Sequence, residues 1–250
     1  MRAIVIGAGR GSRLMPTTEN SPKCFAEIQG KRILDWTVEA LRGGGCTEIC
    51  FIGGYRIDSV RREYPDFVFR ENRDWENNNI LVSLMCAEDL MDRSFITCYS
   101  DILFTADVVR GLVRSSDELA LGIDTDWREH YRPRTQHPPH DAEKAIVRDA
   151  RIERVHRGIP YDAATGEFIG VARFGAAGAR QFRDFYARRK AEFWGKPYRE
   201  AALFQKAYLI HMFQDMIEQG HVFGHVDTPG RYREIDTQED MNLAQTLWKG

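Results

Sequence analysis

The chain has 250 residues, 43% of them hydrophobic, with 35 Lys and Arg against 37 Asp and Glu for a net charge of −2. The apolar content suffices for a sizeable core and excludes a disordered chain; the charge balance offers no basic stripe for a nucleic-acid backbone, though a small anionic substrate needs only a few local cations. No apolar run approaches the ~20 residues that span a bilayer, Met1-Arg2 opens no signal-peptide pattern, and five cysteines without a CxxC pair read as reduced thiols of a cytoplasmic protein.

Ala3-Ile4-Val5-Ile6 is an unbroken apolar run, as expected of a strand covered on both faces. Ile33, Leu34, Val38 and Leu41 recur at helical spacing, and Gly43-Gly44-Gly45 stops that helix. Strands are predicted at Glu48–Ile52, Phe67–Phe69 and Phe95–Tyr99, with a helix from Ile80 to Met91. A helix around Val108–Val113 leads to a strand at Leu119–Ile123. This alternation predicts a mostly parallel sheet with helices on both faces. Residues 126–141 lack periodicity and read as a long surface loop, a place where function often resides. A hairpin follows at 145–147 and 151–155, then a strand at Glu167–Phe174, helices at about 177–194 and 198–219, and strands near Val222–Val226 and ending at Ile235-Asp236. Thr237 and Asp240 resemble a capping box opening the last helix. No repeat, low-complexity tract or linker divides residues 1–250, which reads as one domain with a small substrate-side lobe.

Gly7-Ala8-Gly9-Arg10-Gly11-Ser12-Arg13-Leu14 follows the first strand directly. Glycines there let backbone N–H groups approach a phosphate with no Cβ in the way. A dinucleotide-binding turn would need a helix at once and an acidic residue about twenty positions on. Pro16 and Pro22 break such a helix, Ser12 stands at the third glycine position, and no Walker lysine follows at the required spacing. What remains is a longer loop with Arg13 and, behind Pro22, Lys23: two fixed cations beside a glycine nest, suited to a triphosphate.

These residues resemble the signature of the nucleotidyltransferases that activate sugar phosphates and related compounds, with Ile6-Gly7-Ala8-Gly9 in place of the usual Leu-Ala-Ala-Gly. The segment Glu76-Asn77-Asn78-Asn79-Ile80, followed by Ser83-Leu84, replaces the Gly-rich base-reading segment of the sugar enzymes. It is similar to the corresponding element of phosphocholine cytidylyltransferases and of the cytidylyltransferases of phosphonate biosynthesis. The latter resemblance extends to Ser100-Asp101, to Arg134 with His137-Pro138, to Ala142-Glu143-Lys144 and to Glu167–Gly170, covering nearly the whole chain and weakest in 177–219.

The resemblance implies an α/β, three-layer Rossmann-like fold with a mixed, mostly parallel sheet. It implies a Mg²⁺-dependent transfer in which a phosphonate or phosphate oxygen attacks the α-phosphorus of CTP, releasing pyrophosphate. The favoured acceptor is 2-aminoethylphosphonate; phosphocholine or a sugar 1-phosphate is the alternative within the class, and a catalytically silent nucleotide-binding domain is the alternative outside it. A homo-oligomer is compatible with the sequence. Attacking group and electrophile are both anionic and the oxygen is already ionised, so arginine, lysine and Mg²⁺ are the expected catalysts.

On that reading Gly7, Ala8, Gly9, Gly11, Ser12 and Ser100 line the nucleotide, and Arg13 and Lys23 hold its phosphates. Asp101 and Asp236 are the magnesium carboxylates, each with helix capping as its plainer alternative. Asn77 and Asn79 offer amides that can read a cytosine edge, or they cap the helix beginning at Ile80. Lys144 would contact the acceptor phosphate or sit solvated on its strand. Arg134 and His137 would clamp a phosphonate or decorate a surface, and Glu167 would face an aminoethyl ammonium or an edge.

Overall fold

A computed structural model describes residues 1–250. In chain order its elements are β1 (Arg2–Gly7), β2 (Glu27–Ile28), β3 (Lys31–Arg32), α1 (Ile33–Gly43), β4 (Glu48–Gly53), α2 (Ile57–Glu63), β5 (Val68–Glu71) and α3 (Ile80–Met85). There follow β6 (Phe95–Tyr99), β7 (Ile102–Phe104), α4 (Ala106–Arg114), β8 (Leu119–Asp124), α5 (Trp127–Tyr131), β9 (Lys144–Arg148) and β10 (Arg151–Val155). The last third holds β11 (Gly166–Phe174), α6 (Ala176–Phe193), α7 (Leu209–Glu218), β12 (Gly224–Asp227), β13 (Tyr232–Glu234) and α8 (Gln238–Leu247).

The main sheet runs β10-β9-β11-β6-β1-β4-β5, with β8 on β11 and β12 on β8. Strands β6, β1, β4 and β5 are parallel, while β11 enters antiparallel to β6 and β8. The sheet is thus mixed, its parallel half N-terminal. Alternation of side chains along β1 explains the three layers. Ile4 and Ile6 point into a core with Leu81, Leu84, Phe182, Met212 and Phe213 of α3, α6 and α7. Ala3 and Val5 point the other way, into a core with Leu34, Leu41, Val109 and Leu112 of α1 and α4. No helix is long and apolar enough to cross a membrane.

Three expectations are corrected. Residues 126–141 are not a surface loop: Trp127, Tyr131 and His137 are buried, and Trp127 and Tyr131 join Ala142, Ile159 and Ala164 in a small separate core. The helix expected from Ile80 ends at Met85 and gives way to a single 3₁₀ turn at Glu88–Leu90. The helix expected from 198 starts at Leu209, because Gly195 and Pro197 open an irregular stretch held by a Tyr198–Ala201 bridge and a 3₁₀ turn at Phe204–Lys206. Strand β7, absent from the sequence reading, pairs antiparallel with β13 and so brings Asp236 beside Asp101, with the Ile235 N–H donating to the Asp101 carbonyl at 3.0 Å.

Candidate active site

A cavity of about 610 Å³ opens at the carboxyl ends of β1 and β6, the edge at which open α/β sheets bind ligands. Its floor is the glycine turn. Gly11 adopts φ +71°, and a Cβ there would lie 2.7 Å from the Lys23 side chain, so glycine is required by both backbone and space. Gly7, Ala8, Gly9, Gly11, Ser12, Arg13, Lys23 and Ser100 all line this cavity.

Lys23 reaches it from a 3₁₀ turn directly behind Pro22. Its buried ammonium donates to Asp101 Oδ2 at 2.8 Å and makes a short contact with Asp236 Oδ1, while Arg13 Nη2 stands 2.5 Å from Asp236 Oδ2. Burial works against the Lys23 charge, but the two aspartates outweigh it and hold the ammonium above the usual lysine range. Burial likewise opposes the Asp236 charge, and Lys23 with Arg13 overcomes it, keeping this carboxylate low. Neither aspartate is a helix cap: Thr237 and Asp240 form the reciprocal box that opens α8.

A carboxylate that the sequence reading missed completes the group. Glu234, two residues before Asp236, lies on the same side of the chain at the end of β13. That two-residue period was the available signal. Glu234, Asp236 and His137 each present a ligand atom within 4.8 Å of one another. Burial first, and then Asp236, push the Glu234 carboxyl up. Three acidic side chains converging on one wall, Asp236 buried and Asp101 and Glu234 part-buried, form an oxygen-rich set that a hard divalent cation fits.

Arg134 is buried and does not line the cavity. It stands behind the carboxylates, donating from Nε to Asp240 Oδ1 at 2.7 Å and lying 3.4 Å from Glu234 Oε2, with His137 Nδ1 also in contact. His137 does line the cavity. Lys144 is not brought there either. Its Nζ donates to the carbonyl of Pro139 at 3.1 Å and to those of His140 and Ala142 at 3.4 Å. Side chains alternate at the start of β9, so Glu143 faces the cavity where Lys144 does not.

The asparagines are committed to partners within the protein. Asn79 Oδ1 accepts from Ile80 N at 2.8 Å as a helix cap, and its Nδ2 donates to the Lys206 carbonyl at 3.2 Å. Asn77 lies off the cavity and donates to Asp74 Oδ1. Asn78, which does line the cavity, exchanges bonds with Asn72. Trp75 packs edge-on against Tyr55 and also faces the cavity.

On the other wall stand Glu143, Arg157, Glu167 and Tyr208. Tyr131 donates its hydroxyl to Glu167 Oε1 at 2.7 Å, while Glu167 Oε2 is buried without a partner. Burial first, and then Glu234, push the Glu167 carboxyl up to about 8. The fold therefore favours the protonated form. That stability is fully present below the unfolded carboxyl pKa and is lost as pH rises toward 8, at about 1.4 kcal/mol per pH unit. Glu167→Gln is accordingly expected to lose less stability than the wild type between pH 5 and pH 8, as read by urea unfolding at each pH; parallel losses would refute it.

A family model described as "MobA-like NTP transferase domain" matches residues 3–153. The CTP:phosphoglutamine cytidylyltransferase of Campylobacter jejuni is 29% identical over 253 aligned residues, covering 97% of this chain and 98% of its own. The choline-phosphate cytidylyltransferase of Streptococcus pneumoniae is 28% identical over 74% of this chain and 81% of its own. Among solved structures, the inositol-1-phosphate CTP transferase from T. maritima superposes with a TM-score of 0.75 at 22% identity, covering all of this chain and 96% of that one.

Proposed function

The chain belongs to the MobA-like NTP transferase domain family, and from that premise we propose that it transfers the CMP moiety of CTP to a small phosphonate or phosphate that bears an amine, 2-aminoethylphosphonate being the simplest such acceptor. The observation that carries this reading is the Lys23 ammonium set between Asp101 and Asp236 directly under the glycine turn. The preference for CTP draws on the two cytidylyltransferase relatives and on the Asn77–Asn79 segment. The Asn78 and Asn79 side chains, the two of this segment that line the cavity, are already hydrogen-bonded within the protein, so main-chain groups of that wall take the base-reading role.

In this reading the amides of Gly7–Ser12 and the Arg13 guanidinium hold the β- and γ-phosphates, and Lys23 offsets charge at the α-phosphorus. An acceptor oxygen forms the new P–O bond as the α–β anhydride bond breaks, and pyrophosphate carries away the electron pair. Asp101, Asp236 and Glu234 would hold Mg²⁺, which supplies charge neutralisation and a template for in-line attack. Glu143 and Glu167 face the acceptor's ammonium, and no covalent nucleophile is needed. Residues 1–250 act as one catalytic domain, in the cytoplasm.

The test is pyrophosphate release from CTP, UTP, ATP and GTP against 2-aminoethylphosphonate, phosphocholine, ethanolamine phosphate and glucose 1-phosphate, with Mg²⁺ present. Turnover confined to CTP and amine-bearing acceptors is expected. Turnover only with glucose 1-phosphate would keep the transferase and remove the amine, and no turnover with any pair would remove the reading.

A further inference from the structure

Beyond the phosphate end, the cavity wall carries a charge pair of which the transfer reading uses only the carboxylate, Glu143, and leaves its arginine unassigned. Arg157, at the start of the loop after β10, donates from Nη2 to Glu143 Oε1 at 3.3 Å. Its guanidinium lies 4.1 Å from the centre of the Tyr208 ring, just before α7, and its Nε is buried without a partner. Glu143 accepts from the Tyr99 hydroxyl at 3.2 Å through its other oxygen. All four side chains line the cavity. Both hydrogen bonds of Glu143 are long for charge-assisted contacts, which cluster near 2.7–2.9 Å. One of the guanidinium's five N–H groups is spent on Glu143, and the ring beneath fixes its plane.

A neutral pair of opposite charges, loosely bonded and half desolvated, is completed by another neutral pair set against it. A lone cation would satisfy Glu143 and leave Arg157 underbonded; a lone anion would do the reverse. Resting on the transferase reading above, we infer that Arg157 and Glu143, backed by Tyr208 and Tyr99, form a subsite for a zwitterionic head group: the acceptor is a phosphate or phosphonate of an α-amino acid, its carboxylate against Arg157 and its ammonium against Glu143. The planar, fork-like donors of arginine suit a carboxylate bound edge-on. Glu167 lies within the same cavity and supplies a second carboxyl toward the ammonium.

Matched acceptors test this directly. 2-Aminoethylphosphonate and 2-amino-3-phosphonopropionate differ by one carboxylate, as do ethanolamine phosphate and O-phosphoserine. In pyrophosphate release with CTP and Mg²⁺, the carboxylate-bearing member of each pair is expected to show at least about tenfold higher kcat/KM, mostly through KM. Arg157→Gln should collapse that ratio toward one, and Arg157→Lys should restore part of it; thermal unfolding of both variants checks that they fold. Two results overturn the inference while leaving the transferase reading intact: a preference for the carboxylate-free members, or an Arg157→Gln variant that slows both members equally, which would place the acceptor's phosphate on this arginine. Absence of pyrophosphate with every acceptor overturns the transferase reading, and the inference with it.

Discussion

Asp101→Asn is expected to lower the turnover number by at least about a hundredfold while changing CTP affinity only a few-fold, since it removes charge that would position the cation at the reacting phosphorus. The side chain is partly exposed and shares Lys23 with Asp236, so the lysine keeps one carboxylate partner and the fold should survive. Asp236 is different. It is almost fully buried and takes both Lys23 and Arg13, so Asp236→Asn should lose stability as well as turnover. Pyrophosphate release, calorimetric titration of CTP and thermal unfolding of the two variants separate these effects. An Asp101→Asn enzyme within tenfold of the wild type would remove this residue from the reaction and leave Glu234 and Asp236 as the cation's carboxylates.

The sequence showed the layers because β1 is buried on both faces, and its alternating residues enter two cores. It showed the glycine turn and its two cations because their chemistry depends on spacing along one short segment. It did not show which residues the chain's return brings beside them. Glu234 is isolated in sequence from Asp101 and meets it only because β13 pairs with β7, a three-residue strand whose pattern is too short to read. The Glu143 and Lys144 positions differ by one residue, and in a strand one residue is the opposite face. The asparagines were legible as polar and helix-initiating, yet their partners Asn72, Asp74 and Lys206 decide what remains free, and one of these lies more than a hundred residues away. The 126–141 segment looked like an exposed loop because its aromatic residues have no period, but packing against Ala142, Ile159 and Ala164 needs none.

Arg134→Ala should be the most destabilising single change in the site, by about 3–5 kcal/mol at neutral pH, because it strands the buried Asp240 and the part-buried Glu234 without their cation. Arg134 and Asp240 are both buried and bonded at 2.7 Å, Glu234 lies 3.4 Å away, and Asp240 Oδ2 in turn accepts from the N–H groups of Asp236 and Thr237. One arginine thus secures the start of α8 and the wall that carries Glu234 and Asp236. Burial would raise the Asp240 carboxyl, but His137 and Arg134 outweigh it and hold it well below the usual range. A depressed carboxyl stabilises the fold above its unfolded pKa, and that contribution is lost as pH falls through and below about 4. The gap between wild type and Arg134→Ala should therefore be widest near pH 7 and narrow in acid, whereas Arg134→Lys, which keeps the charge without the fork, should fall between them. Urea unfolding of the three proteins at pH 7 and pH 3.5 measures it. A loss below about 1 kcal/mol at pH 7 accompanied by a large rise in acceptor KM would mean that this arginine serves the acceptor instead, the phosphonate-clamp role that its side chain's burial behind Glu234 argues against.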